Sequence, residues 1–363
     1  MGYSEKNEKE RGLSMAVTIY DVAERLHVSV ATVNRALRGT GRISPATKEL
    51  VCRTAAEMGY SPNRAAQALR RNPLTVGVLL CCPADEYLDE IMRGVLAGFE
   101  ALAPMHVHPD LRVIRGANAE AKREEVERIL QEFSEQKAAG AIVFLSGDCR
   151  VFQKSLETLS RQMPLASVGN DPGPACLFSV SADGECAGSL AAELLCLCQR
   201  KKRTAVITGS RQTDIHAACL RGFAAFGQSH GLTDFDVYEH EDDPARFQTC
   251  LEEICARGGY DGVYVTSSVT FPSAAAAERV RQMGALIVAT DLTAANRALL
   301  RREEISAVIF QDPFWQGKTV VKRLYDRLAA GGETRSCRLT PSLVFSSDCD
   351  RYETKEEKET GKA

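Results

Sequence analysis

No stretch of this chain reaches the run of about eighteen or more apolar residues that a bilayer-crossing helix needs. The opening segment, MGYSEKNEKERGLS, lacks the apolar centre of a secretory signal and is expected to be a disordered lead-in, with Met15 an alternative natural start. Catalytic signatures are also scarce. No GxGxxG follows the first strand-like run, no phosphate-binding P-loop occurs, and the six histidines are scattered without a recognisable triad or metal set. Cysteine is plentiful, with thirteen residues, but the pair Cys196 and Cys198 stands at i, i+2 in a helical run, and no second pair with metal-ligand spacing accompanies it. Without a secretory signal these thiols are expected to be reduced, and Cys81-Cys82 reads as core packing of an apolar strand. The chain is therefore expected to be cytoplasmic and non-enzymatic, with no cofactor, metal or membrane partner.

What is present is an uneven distribution of charge. From Met15 to Asn72 nine Lys/Arg face four Asp/Glu, a balance of +5, so the rest of a chain with net charge −3 sums to −8. A basic head on an acidic body suits a protein that grips phosphate with one part and keeps nucleic acid off the rest. Within the head, Thr18 and Asp21 open like a capping box, and Ile19, Val22, Ala23 and Leu26 share one helical face. Ser29 can cap a second helix over Val30 to Leu37, with Val33 and Leu37 turned inward and Val30, Ala31, Asn34 and Arg35 outside. Gly39 and Gly41 stop it. Ser44-Pro45 is an N-cap followed by proline at the first helical position, opening a third helix whose Leu50, Val51, Thr54 and Met58 are expected to close a small core before Gly59 ends it. Two short helices joined by so brief a turn read as a helix-turn-helix, whose second helix enters the major groove. A fourth, very short helix is expected over Ala65 to Leu69, opened by Tyr60-Ser61-Pro62-Asn63-Arg64.

These residues, TIYDVA, VSVATVNRAL, SPATKELV and MGYSPNRAAQAL in that order, resemble the lactose-repressor (LacI) family over a nearly continuous stretch. The resemblance implies that the fourth helix is a hinge that folds on operator DNA, pairs with its dimer mate and wedges Leu69 into the minor groove with Ala66 beside it, unstacking a base step. So short a helix is marginal alone in water, which suits folding only on DNA. The matched positions further imply DNA contacts from Thr18, Tyr20, Ser29, Val30, Ala31, Thr32, Asn34, Arg35, Asn63 and Arg64. Apolar Val30 and Ala31 suit thymine methyls, Asn34 and Arg35 suit base edges, and Thr32 suits phosphate. Asn34 stands where the family usually carries serine. The implied partner is a pseudo-palindromic operator read by a homodimer, with a tetramer left open.

Beyond Pro73, eleven strand-like runs, from TVGVLL (75–80) to AVIF (307–310) and RLTPSLVF (338–345), alternate with amphipathic helical runs. That alternation gives parallel sheets covered on both faces, and so many strands suggest two sheets, with ligands at the carboxyl ends of the strands. The region is similar to the sugar-binding part of the LacI family and to periplasmic ribose-type binding proteins. The expected fold is an all-α helix-turn-helix head plus an α/β two-lobed, periplasmic-binding-protein-like (type I) domain. Its expected divisions are a lead-in (1–14), the helix-turn-helix domain (15–60), hinge helix and linker (61–73), the two-lobed effector-binding and dimerisation domain (74–347) and a charged, frayed tail (348–363). Lobe one is placed at 74–171 plus 312–337, and lobe two at 172–311 plus 338–347.

The same resemblance suggests effector contacts at Asp85, Tyr87 and Leu88 after the first strand, at Asp148, His216 and Ser267, and at Asp291 and Gln311. Cys219 falls where the family usually has arginine, Arg221 lies beside that position, and Ser267 replaces a usual asparagine. Carboxylates and amides at strand ends suit the hydroxyls of a sugar or polyol, and also other small polar ligands. The reading is a regulator, expected to be a repressor, whose operator affinity follows a carbohydrate-like effector. The alternative is a ligand sensor of the same fold without a DNA role.

Overall fold

The computed structural model describes residues 17–38, 43–60, 73–198, 203–241, 243–268, 274–331 and 335–352. They belong to two compact units that part between Asn72 and Pro73. The lead-in, the Gly39 and Gly41 stop, the hinge positions Asn63, Arg64, Ala66 and Leu69, and the chain after Tyr352 lie outside the described residues.

The smaller unit contains α1 (Ile19–Arg25), α2 (Val30–Arg38) and α3 (Pro45–Glu57). Thr18 and Asp21 form the capping box, and Ser44 caps α3 by accepting the Thr47 N–H at 3.1 Å. Both α1 and α3 end in a doubly bonded reversal. Val28 N–H donates to Ala23 O and His27 N–H to Glu24 O, while Tyr60 N–H donates to Ala55 O and Gly59 N–H to Ala56 O. This C-terminal motif needs a left-handed residue, supplied by Gly59 at φ 70° and, against steric preference, by His27 at φ 52°. Val22, Ala23, Val33, Ala36, Val51 and Ala55 are buried together. Leu50, expected inside, is 43% exposed. Val51, Thr54, Ala55 and Met58 set the inner face of α3 at i, i+3, i+4 and i+7, one residue out of phase with Leu50.

The larger unit has two six-stranded sheets among its described residues. Sheet A runs β11-β5-β4-β3-β1-β2, from β1 (Leu74–Cys82), β2 (Val107–Arg115), β3 (Gly140–Leu145), β4 (Leu165–Val168), β5 (Phe178–Ala182) and β11 (Cys337–Leu339). Sheet B runs β12-β10-β9-β8-β6-β7, from β6 (Arg203–Thr208), β7 (Asp234–Glu239), β8 (Gly262–Val265), β9 (Leu286–Thr290), β10 (Ala307–Phe310) and β12 (Ser342–Val344). All pairings are parallel except β10 with β12. The central strands are buried along their length, as parallel strands covered on both faces must be. Pro109 is tolerated in β2 because β2 is an edge strand.

Helices α4 (Asp85–Leu102) and α12 (Pro313–Ala330) cover one face of sheet A, and α5 (Arg123–Glu135) and α6 (Gln153–Ser160) the other. On sheet B, α7 (Gly184–Cys198) and α8 (Asp214–His230) cover one face. The other face carries α9 (Pro244–Arg257), α10 (Ala274–Gln282) and α11 (Ala294–Arg301). All thirteen cysteines are unbridged.

Three expected boundaries move. The first passage between sheets falls at Asp183, not at 172, because β5 pairs with β4 and so belongs to sheet A. The last expected strand is two: Pro341, without an N–H, breaks the ladder, and β11 pairs in sheet A while β12 pairs in sheet B. Order also extends past Ser347, since Cys349 is buried and the Tyr352 ring meets Phe310 edge-on at 5.1 Å.

In each lobe one helix pair is locked backbone to backbone through glycine. A Cβ on Gly94 would lie 2.0 Å from Phe314 O, and one on Gly222 2.0 Å from Glu185 O. Gly222→Ala should therefore force α7 and α8 apart and destabilise lobe two by about 1–3 kcal/mol or more. An unchanged urea midpoint in that variant would contradict the close approach.

Candidate functional site

The outer face of the helix-turn-helix is assembled from caps and turns. Ser29 Oγ accepts the Thr32 N–H at 3.1 Å and lies 2.9 Å from Thr32 Oγ1, so both hydroxyls sit at the opening of α2. Ala31 and Arg35, one turn apart, are exposed, and Arg35 Nε donates back to Ala31 O at 3.2 Å. Asn34 is half-buried. Val30, expected outside, is half-buried against the three-helix core, which limits how far its methyls can reach. The Tyr20 ring is 69% exposed near the start of α1. Thr18 donates through both its N–H and its hydroxyl to Asp21 Oδ2, at 2.7 and 2.8 Å, and these bonds hold the Asp21 carboxyl below its ordinary range.

In the larger unit, the carboxyl ends of strands from both sheets border one space of about 570 Å³, partly open to solvent. Sheet A contributes Cys82 at the end of β1 and Pro83 beyond it, Ser146 after β3 and Asn170 after β4. Sheet B contributes Thr266, Ser267 and Ser268 after β8 and Gln311 after β10, and Thr213 and His216 come from the start of α8. Tyr87, in the first turn of α4, meets Phe144 edge-on at 6.0 Å and donates to Gln316 Oε1 at 3.4 Å. Burial pushes the Tyr87 hydroxyl well above its usual pKa.

Four of the eight expected effector residues, Tyr87, His216, Ser267 and Gln311, meet in this pocket. Thr266 Oγ1 spends its proton on Thr208 Oγ1 at 2.9 Å and so accepts from His216 Nδ1 at 3.2 Å. Ser267 Oγ is 2.8 Å from Nε2 of His240, which is fully buried.

The other four lie elsewhere. Asp85 is exposed and faces Arg115 at 3.8 Å. Leu88 is fully buried in the core of sheet A, since it stands on the inner face of α4 with Ile91 and Val95. Asp148 caps the 3-10 turn Cys149–Phe152 and pairs with Arg150 at 2.7 Å, which holds its carboxyl below the ordinary range. Asp291 stands behind the pocket wall and borders a second space of about 640 Å³. Of the absent arginine, Cys219 is buried and Arg221 pairs with Glu185 at 3.1 Å.

Residues not expected from sequence complete the lining. Ser146, Asn170 and Thr213 are each more than nine-tenths buried, yet Ser146 Oγ, Asn170 Oδ1 and Thr213 Oγ1 have no hydrogen-bond partner among the described residues. Leaving such an atom unmade costs about 1–3 kcal/mol, so three around one space mark a place for a polar guest. Each belongs to the polar segment that follows a buried strand, a signal available in the sequence. The run Gly227-Gln228-Ser229-His230-Gly231 has the GxSxG spacing of a nucleophile elbow, but it lies at the end of α8, where Ser229 Oγ donates to Ala225 O. An elbow needs a strand-to-helix turn. Among the described residues no group of three or more His, Cys, Asp or Glu is placed to hold a metal, and no helix is long and apolar enough to cross a membrane.

Asp291 adopts φ 62° and accepts from Gln311 N–H and Gln311 Nε2, both at 3.1 Å, and from Ser268 Oγ at 2.5 Å. Burial pushes its carboxyl up to about 6. The folded chain thus binds this proton more tightly than the unfolded chain, whose value is about 4. Its stabilising effect is complete below about pH 4 and is lost as the pH rises through about 6. Asp291→Asn should flatten that part of the Tm profile, a difference on the order of 2–3 kcal/mol. Thermal denaturation from pH 4 to 7 measures it, and parallel profiles would contradict the assignment.

The periplasmic binding protein domain matches residues 77–333, and the lacI family of bacterial regulatory proteins matches residues 18–63. Catabolite control protein A of Priestia megaterium is 28% identical over 232 residues, covering 63% of this chain and 66% of that protein. Its namesake in Staphylococcus epidermidis is 30% identical over 182 residues, 50% of this chain and 52% of that protein. The chain thus spans about half to two thirds of the length of these curated relatives. Among solved structures, GanP, a glucose-galactose binding protein from Geobacillus stearothermophilus, has a TM-score of 0.66 at 20% identity, over 77% of this chain and 99% of that one. The lac repressor dimer bound to operator and the anti-inducer ONPF has a TM-score of 0.61 at 20% identity, over 91% of this chain and 98% of that one. At such identities these structures speak to the fold alone, and it is the two sequence matches, laid end to end over a three-helix unit and a two-sheet unit, that place the chain in the LacI family of bacterial regulatory proteins.

Proposed function

We propose that this chain is a homodimeric, ligand-responsive transcription regulator, a repressor, that binds a pseudo-palindromic operator and answers to a small polar effector in the pocket between its lobes. The observation that carries the reading is the presence in one chain of a helix-turn-helix with Ala31 and Arg35 exposed on α2 and of a pocket bordered by unpartnered buried oxygens. The lac repressor, solved on operator with an anti-inducer, shares this combination of folds. Myo-inositol, D-arabinose and the sugars of GanP are ligands of proteins with the larger fold, which supports a carbohydrate-like effector.

In this reading α2 lies in the major groove. Arg35 gives a bidentate contact to a base edge, Ala31 meets a thymine methyl, and Ser29, Thr32, Thr18 and Tyr20 take phosphate. Asn63, Arg64, Ala66 and Leu69 supply the minor-groove contacts and the kink. The effector acts through the three passages between the lobes, and a coupling of about 1–3 kcal/mol between effector and operator is the ordinary scale for such a device. The protein works in the cytoplasm, beside the chromosome, and catalyses nothing.

Among the described residues Arg35 bonds only within its own helix turn, so Arg35→Ala should leave Tm unchanged while weakening the selected operator at least tenfold, with less loss on unrelated DNA. Fluorescence anisotropy on a duplex selected by wild-type protein, repeated across a salt series, makes the comparison. Full affinity in the variant would remove Arg35 from the interface, and no sequence-selective duplex at all would sink the reading.

A further inference from the structure

We infer that the interlobe pocket is built for an uncharged ligand, a hydroxyl-bearing ring with one apolar face, and that it rejects the phosphorylated, carboxylated and aminated derivatives of the same ring. The inference rests on the reading of this pocket as the effector site and specifies what enters it.

Among the described residues no Asp, Glu, Lys or Arg side chain lines the space. The second space, which shares Tyr87, carries charge, but there Glu86 takes the Ala294 N–H, Asp89 pairs with Arg115, Glu90 with Arg93, and Arg297 donates to Cys349 O. Asp291, behind the wall, accepts three hydrogen bonds from Ser268 and Gln311. Asp148 and Arg150 pair with each other, and Arg221 on α8 pairs with Glu185. A ligand phosphate or carboxylate would therefore give up water without gaining a counter-charge, and an ammonium group would do the same. The start of α8 does not make up for this for an anion, because Asp214 in its first turn offsets the positive end of the helix.

The polar groups that are left over are neutral and complementary to hydroxyls. Asn170 Oδ1, an amide oxygen, can only accept, and its Nδ2 already donates to Leu145 O and to Cys149 Sγ. Ser146 Oγ and Thr213 Oγ1 can each donate and accept. A hydroxyl offers both roles at one atom, so a ring bearing several hydroxyls can meet groups of all three kinds. Tyr87 and Phe144, with Pro83, Ala84 and Ile215, line the same space with carbon, which suits the apolar face of a ring.

The test is calorimetric titration of the full chain with four neutral probes, D-glucose, D-galactose, D-arabinose and myo-inositol, and with glucose 6-phosphate, galacturonate and glucosamine. At least one neutral probe should bind, with an affinity that changes less than twofold between low and high salt, while its charged counterpart binds at least a hundredfold more weakly. Asn170→Leu should weaken the neutral probe at least tenfold, and Thr213→Val, checked for an unchanged melting profile, should do so too.

A charged probe that binds as tightly as its neutral parent, and loses that binding in Asn170→Leu or Thr213→Val, overturns the charge rule while leaving the pocket as the effector site. Binding that neither substitution alters overturns the assignment of the pocket itself. A panel in which no neutral probe binds overturns the ligand class.

Discussion

A buried carboxylate must find donors or give up its charge, and Asp291 finds three at the point where the chain leaves sheet B for lobe one. Gln311 supplies two of them and begins the passage that leads from β10 into α12, where Asp312 also takes a left-handed backbone. Gln316 Nε2 in turn donates to Gln311 O at 2.9 Å, and Tyr87 donates to Gln316. The chain of bonds therefore runs from Ser268 in lobe two, through the carboxylate and the passage, to Tyr87 in lobe one. Pocket wall and interlobe connection are the same object, so a guest that touches Ser268, Gln311 or Tyr87 touches the hinge.

Two further bonds tie the lobes at their rims. Arg150 Nη2 donates to Gln212 Oε1, and the Ala294 N–H at the start of α11 donates to Glu86 Oε2, both at 2.5 Å. Within each lobe the glycine-locked helix pairs α4/α12 and α7/α8 allow little sliding, because backbone atoms already meet across them. Rigid lobes joined by hydrogen-bonded passages favour motion as two bodies over internal deformation.

The parts of this architecture that were legible in the sequence are those written in local chemistry. Thr18 with Asp21, and Ser44 with Pro45, announce helices because the capping groups lie within one turn of what they cap. The alternation of buried runs and amphipathic helices likewise gave two sheets, since covering both faces of a parallel sheet leaves that periodicity behind. Sheet membership is a long-range property, and nothing local to FSVS told that β5 would pair with β4 before the first passage. In the pocket, motif positions such as Asp85, Leu88 and Asp148 read side-chain type without direction. Helix phase turns Leu88 inward, and Gly147 at φ 89° precedes Asp148, which becomes a cap. Ser146 and Asn170 escaped because serine and asparagine just after a strand are ordinary turn formers. Their buried, unmet oxygens are visible only in three dimensions.

The order in which sheet A is filled has a consequence for synthesis. Its edge strand β11 and the helix α12 that seals α4 come from residues 313–339, after the whole of sheet B except β12 has been made. While the ribosome completes β6 to β10, the face of β1, β3 and β4 that α12 will cover, including Ile142, Phe144 and Val168, waits without that cover. Lobe one therefore cannot reach its final packing as it emerges, and the nascent chain carries an apolar surface that chaperones can hold until its last segment returns.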